Sequence, residues 1–224
     1  MTRTLKDRLA KLRDIALKAV LAAVLLAVAT VAAQSGDLAL PSPQTDGGKP
    51  LMQALKERRT TRSLDAQPLP PQVLSNLLWA AFGVNRADGR RTAPSARNWQ
   101  EIDIYVAAAD GLHLYDARAH ALRRISAEDL RALAGTQEHA REAAVTLVYI
   151  ADERRMGRVD DETRRTYAAA DTGFIAQNVY LFCASEGLGT VVFASIDRER
   201  FARAAGLRPE QRITLAQSVG YPRR

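Results

Sequence analysis

Read for the spacing of apolar and polar positions, the 224-residue chain divides into three stretches. Ala19 to Ala33 is an unbroken run of Ala, Val and Leu with one Thr, behind a polar and basic beginning. Residues 34–50, with Pro41, Pro43, Gly47 and Gly48 among Ser and Asp, read as a linker. From Leu51 onward apolar residues recur at the intervals of helices and strands, so a folded domain is expected over 51–224.

Leu51 and Leu55 predict a short amphipathic helix ending near Arg58. A polar, then Pro-rich loop follows, and Pro70-Pro71 suits a helix start. Val73, Leu74, Leu77, Leu78 and Ala81 hold helical spacing up to a stop near Gly83. Ile102, Ile104 and Val106 alternate as a strand, Asp110-Gly111 marks a turn, and Leu112 to Asp116 returns as the second arm of a hairpin. Ser126, with Asp129 three residues on, predicts another helix start. Residues 143–152 form a strongly apolar strand. Tyr167 to Glu186 is the most hydrophobic helix of the domain, closed by Gly187 and Gly189. Residues 190–195 read as a short buried strand, Asp197 to Ala205 as a capped helix stopped by Gly206, and residues 212–222 as the last strand. A hairpin mixed with helices predicts an α+β fold, with helices packed on a mixed or antiparallel sheet.

Charge changes the picture at the N-terminus. The chain carries a net charge of +7. Arg3, Lys6, Arg8, Lys11, Arg13 and Lys18 against Asp7 and Asp14 put +4 of this in residues 1–33, which leaves +3 for the rest. A basic beginning, a short apolar run, and Val31 and Ala33 at the −3 and −1 positions before Gln34 make a secretory signal peptide over residues 1–33. An uncleaved anchor is the alternative, since Ile15 to Ala33 is interrupted only by Lys18. The expected location is exported, periplasmic or envelope-associated after cleavage near Gln34. No dense Lys/Arg tract with interleaved aromatics follows, so nucleic acid is not an expected partner. The single cysteine, Cys183, excludes an intramolecular disulfide and reads as a small buried hydrophobe. His113, His120 and His139 have no metal-ligand spacing.

Three separated segments carry candidate chemistry. Arg58-Arg59-Thr60-Thr61-Arg62 offers guanidinium forks and hydroxyls, the donors a phosphate needs, although a basic helix end is more often just solvated. Pro94-Ser95-Ala96-Arg97-Asn98-Trp99-Gln100 precedes a strand, and Asn98 has both donor and acceptor for the edge of a heterocycle, or for an Asx-turn. The third is the apolar helix with Gly187 and Gly189 and the strand behind it, where glycine lets backbone approach a flat ligand, or simply ends a helix.

In order and spacing these segments resemble the nitroreductase family of FMN-dependent, NAD(P)H-oxidising proteins across nearly all of 51–222. The resemblance rests on Arg58/Thr60/Arg62, Pro94-Ser95/Asn98/Gln100, Asp171/Gly173/Gln177-Asn178/Leu181, Gly187-Leu188-Gly189-Thr190 and Gly220-Tyr221-Pro222. It implies a homodimer with FMN at the subunit interface. Arg58, Arg59 and Thr60 would hold the phosphate, joined by Arg223 beyond Gly-Tyr-Pro. Arg62 would lie against N1 and O2 of the isoalloxazine, where its charge opposes the negative charge of the reduced ring. Pro94, Ser95, Asn98 and Gln100 would frame the ring, with Asn98 on its pyrimidine edge. Backbone at Phe193, Ala194 and Ser195 would approach N5. The chain departs from the family pattern at Glu101-Ile102, where many relatives have Pro-Trp, and at Ala194-Ser195, where many have Gly or Glu. No side-chain acid, base or nucleophile is required, because the flavin would carry the chemistry.

The expected activity is transfer from NAD(P)H or another reductant through FMN to a nitro, quinone or similar small acceptor. A substrate-specific flavin dehydrogenase of the azoline-oxidase type and a non-catalytic exported flavin-binding protein are the alternatives.

Overall fold

The computed structural model describes residues 37–223. The expected signal peptide and its cleavage position lie outside the described residues. The stretch read as a linker is bound to the domain from Asp37 on. Leu38–Ala39 (β1) pairs with the strand Ala121–Ser126. Ser75 Oγ donates to the Pro41 carbonyl at 2.6 Å, and Lys49 N–H donates to Ser185 Oγ at 2.8 Å. Prolines that bar helix or central strand still allow an extended strap whose carbonyls accept from neighbouring elements.

The expected short helix is Leu51–Glu57 (α1), and the two-residue strand Leu64–Asp65 (β2) follows. Pro71–Phe82 (α2) starts and stops as its prolines and Gly83 predict. The hairpin is Ile102–Ala108 (β3) and Gly111–Asp116 (β4), with Ala121–Ser126 (β5) beside it. Ser126 therefore ends a strand and does not start a helix. Its hydroxyl accepts from Glu128 N–H, and the helix Arg131–Ala134 (α3) begins five residues later. The short helix Glu138–Glu142 (α4) leads to Val145–Asp152 (β6).

Asp161–Glu186 (α5) is longer than its apolar pattern suggests. Its first turns are polar, and Asp160 caps them by accepting from Thr163 N–H at 2.7 Å. Gly189–Phe193 (β7), Arg198–Ala204 (α6) and Gln211–Pro222 (β8) complete the chain.

The strand order is β1-β5-β4-β3-β6-β8-β2, with β7 on β8, and every pairing among the described strands is antiparallel. Of the two sheet types expected, the antiparallel one is found. Alternation along the central strands sends residues to two cores. Ile104, Val106, Leu147 and Tyr149 pack with Leu77, Leu78 and Phe82 of α2 and Ile175 and Val179 of α5. Tyr105, Ala107, Val148 and Ile150 pack with Leu130, Ala134 and Phe201 on the other side. All eight residues of β6 are buried, which is why it reads as a continuous apolar run. Each large side chain buried there contributes about 1.5–3 kcal/mol. Two polar side chains of this core pair with each other: Tyr149 Oη donates to Gln217 Oε1 at 2.6 Å, and Gln217 Nε2 donates to the Ala176 carbonyl at 3.3 Å. Cys183 is buried as expected, and burial pushes its thiol pKa well up. No helix among the described residues is long and apolar enough to cross a membrane.

Candidate active site

The loop after α1 is pinned by its backbone and leaves its cations free. Arg58 N–H donates to the Ala54 carbonyl, ending α1, and Thr61 N–H donates to the Thr190 carbonyl at 2.9 Å, which lays the loop on β7. Tyr180 of α5 supports both. Its ring lies 5.3 Å beneath the Arg58 guanidinium, and its hydroxyl accepts from Val192 N–H at 3.1 Å. The same hydroxyl is 3.2 Å from Thr60 Oγ1. If the tyrosine proton is directed at Thr60, the threonine proton is left to donate outward. The guanidiniums of Arg58, Arg59 and Arg62 make no hydrogen bond or ion pair among the described residues. Arg58 and Arg59 line a cavity of about 470 Å³ together with Lys49, Lys56, Thr61 and Tyr180.

Gly187 ends α5 in the left-handed region at φ 72°, with its N–H on the Cys183 carbonyl. Gly189 is needed for a different reason. A Cβ there would stand 2.9 Å from Thr61 Cγ2 and 2.6 Å from Leu64 Cδ2, so only glycine lets the basic loop lie so close to β7. At the end of β7, Phe193 meets His139 edge-on with centroids 4.8 Å apart, and just beyond it Thr136 N–H donates to the Ser195 carbonyl at 2.9 Å. Ser195 Oγ is buried without a partner. Burial, and after it the charge of Arg62, hold the His139 pKa below its usual value. The charge of Arg62 is therefore felt at His139, the ring packed on Phe193.

The second segment is a tightly bonded loop. Ala96–Asn98 forms a single 3-10 turn. Arg97, Asn98 and Gln100 all have positive φ, at 50°, 57° and 49°, an uncommon conformation for residues other than glycine. Ser95 Oγ accepts from Gln100 N–H at 2.8 Å, and Asp171 Oδ2 accepts from Ala96 N–H at 2.9 Å. Gln100 is fully engaged: Oε1 accepts from Arg91, and Nε2 donates to the Gly89 carbonyl and Asn98 Oδ1. It supports the loop, and its side chain is not free to meet a ligand. Asn98 keeps its amide N–H groups free among the described residues, and with Pro94, Ser95 and Arg97 it lines a separate cavity of about 530 Å³.

One chain does not bring all three segments together. The first bonds to α5 at Tyr180 and the second at Asp171, nine residues apart, or about 14 Å along a helix. Neither cavity contains residues of the other segment. Arg223 reaches both the end of the basic loop and helix α4. Its N–H donates to the Ser63 carbonyl, but its guanidinium pairs with Glu142 at 2.7 Å, where a carboxylate satisfies it. The supporting roles of Tyr180 and His139 had no signal in the sequence, since a tyrosine on an apolar helix and an isolated histidine look like ordinary core residues.

An antiparallel sheet enclosed by helices, with free guanidiniums on a loop laid over the strand behind a glycine-ended helix, defines an oxidoreductase of the nitroreductase type. The chain belongs to the nitroreductase family, whose model matches residues 55–221. A curated relative from Methanocaldococcus jannaschii, named as a nitroreductase, is 35% identical over 160 residues, covering 66% of this chain and 81% of that one. A crystal structure from Ralstonia eutropha, also named as a nitroreductase, is 42% identical with a TM-score of 0.80, covering 84% and 90% of the two chains. The NADPH:FMN oxidoreductase of Vibrio harveyi, solved with NAD+, shares the fold at a TM-score of 0.58 and 21% identity, over 78% and 69% of the two chains.

Proposed function

We propose that the protein is an exported, homodimeric FMN oxidoreductase that takes reducing equivalents from NAD(P)H or another reductant and passes them to a nitro, quinone or similar small acceptor. The observation that carries the reading is the set of three guanidiniums, Arg58, Arg59 and Arg62, without an anionic partner among the described residues, on a loop whose backbone is held at Arg58 and Thr61. A cation cluster held open in this way suits a ligand that brings its own negative charge.

The residues present fit FMN. Arg58, Arg59 and the Thr60 hydroxyl are groups that can donate to a phosphate. Arg62, whose charge is felt at the His139 ring packed on Phe193, would favour a flavin ring that gains negative charge. The buried, unpartnered Ser195 Oγ is a polar group that a ligand could satisfy. FMN, when bound, supplies the hydride and electron transfer. Asn98 of a second copy would complete the site, since the 94–100 segment of the same chain lies too far along α5 to do so.

The test is an absorption spectrum and FMN titration of the purified mature protein, followed by NADH or NADPH oxidation with a quinone or nitrofuran. A yellow protein that oxidises NAD(P)H supports the reading. A yellow protein inert to both nucleotides removes the donor, and a colourless one that takes up no FMN removes the reading altogether.

A further inference from the structure

Where β3 begins, two carboxyls are buried against each other. Glu101 has none of its surface exposed and Asp171 only 2%. Glu101 Oε2 accepts from Ser95 Oγ at 3.2 Å, while Asp171 Oδ2 holds Ala96 N–H. The two carboxyls thus grip consecutive residues of one loop, and Glu101 Oε1 has no hydrogen-bond partner among the described residues. As two carboxylates they could only repel, and Oε1 would be an orphaned buried acceptor. One proton repairs both faults, because it removes a charge and turns the contact into an O–H···O bond.

Among the described residues, the cations nearby are engaged elsewhere. From β3 and the segments beside it, Arg155 is held by Asp103 and the Gln100 carbonyl, and Arg91 by Gln100 and the Phe82 carbonyl. Arg97, on the loop itself, lies over the Trp99 ring. Asp152 at the end of β6 gives its N–H to the Glu101 carbonyl and its carboxylate to Arg208 and Arg154. On α5, Arg164 pairs with Asp161, and on β8, Arg212 pairs with Glu153.

We propose that Glu101 and Asp171 hold one proton between them near neutral pH, and that this acid–carboxylate pair is the positioning clamp of the 95–100 loop. The pair grips Ser95 and Ala96, directly before three residues in the costly left-handed region. It acts on Asn98 through that loop, and this consequence for cofactor binding rests on the FMN reading above. Burial, reinforced by the charge of Asp171, pushes the Glu101 pKa up to about 7. A carboxyl raised on folding stabilises the fold below its unfolded pKa of about 4.3, and this contribution is lost as pH rises through its folded pKa. The protein should therefore grow less stable from about pH 4.5 to pH 7 and level off above.

Infrared difference spectra of the flavin-loaded protein between pH 6 and pH 8.5 test the shared proton directly. A protonated carboxylic-acid carbonyl band should be present at pH 6 in the wild type, lost at pH 8.5, and absent from Glu101→Gln. That variant keeps a donor for Asp171 and an acceptor for Ser95 but cannot titrate. Its melting temperature and FMN affinity should be nearly independent of pH, whereas wild-type affinity should fall about tenfold at the higher pH. Glu101→Leu should bind FMN weakly at both. Wild-type protein with no such band at pH 6, or Glu101→Gln melting with the wild-type pH slope, overturns the proposal. Failure to take up FMN at either pH, with the band and melting behaviour as expected, overturns the flavin reading and leaves the shared proton standing.

Discussion

Arginines that look alike in the sequence have different fates in the fold, and acceptors decide which. Arg223 finds Glu142 and Arg155 finds Asp103, while Arg58, Arg59 and Arg62 find no acceptor among the described residues. Two of the free ones should behave differently. Arg58→Ala removes a charge-assisted hydrogen bond to a phosphate whose charge does not change with redox state. FMN should then bind about ten- to a hundredfold more weakly, the equivalent of roughly 1.5–3 kcal/mol. Arg62→Ala should lower the flavin midpoint potential and slow reduction even at saturating FMN, because its interaction strengthens as negative charge develops. FMN titration and potentiometry of both variants separate the two roles, and equal potentials in wild type and Arg62→Ala would reduce Arg62 to an anchor. The residues of the basic loop were legible from their chemistry and order. Whether each guanidinium was spoken for was not, because Glu142 lies far from Arg223 in sequence and pairs with it only through the fold.

At the scale of elements, the two glycines behind α5 read as one helix stop, and the structure separates them. Gly187 is left-handed with nothing within 4 Å of an added Cβ, whereas Gly189 has ordinary backbone and Thr61 and Leu64 packed against it. Gly187→Ala should cost about 1 kcal/mol through conformation alone, seen as a lower urea midpoint with FMN affinity kept. Gly189→Ala should displace Thr61 and weaken FMN binding out of proportion to any loss of stability. A Gly189→Ala protein with wild-type FMN affinity would detach the loop's position from that close approach. Most elements were legible because apolar periodicity and Pro or Gly punctuation agree, as in α2 and β6. β5 was not. Its Arg123 and Arg124 point to solvent and hide the alternation, so the nearby Ser126 and Asp129 resemble a helix start. The polar first turns of α5 escaped notice for the same reason: amphipathic rows announce only their buried face.

For the molecule as a whole, the sequence singles out Phe174, Val179 and Phe182 of the long helix as surplus apolar surface. The fold uses Val179 in the core and packs Phe182 against it, and leaves Phe174 48% and Tyr167 39% exposed, seven residues apart on one helix face. Phe174→Glu should shift sedimentation from twice the monomer mass to the monomer and release FMN with it. A monomer that retained FMN would contradict a site completed by a second copy. N-terminal mass spectrometry of envelope-fraction protein should find a chain starting near Gln34, and an intact chain from Met1 in the membrane would point to an anchor instead. The strap at the front of the domain also matters for where the chain can be cut. β1 is only two residues long, yet it lies along β5 and closes that side of the sheet. A gene trimmed to begin at Leu51, where periodicity first becomes regular, would strip that cover and leave β5's unpaired N–H and C=O groups facing water. Such an edge is a template for other chains, so the shortened protein would be prone to aggregate while its basic loop and its 94–100 segment remained intact in sequence.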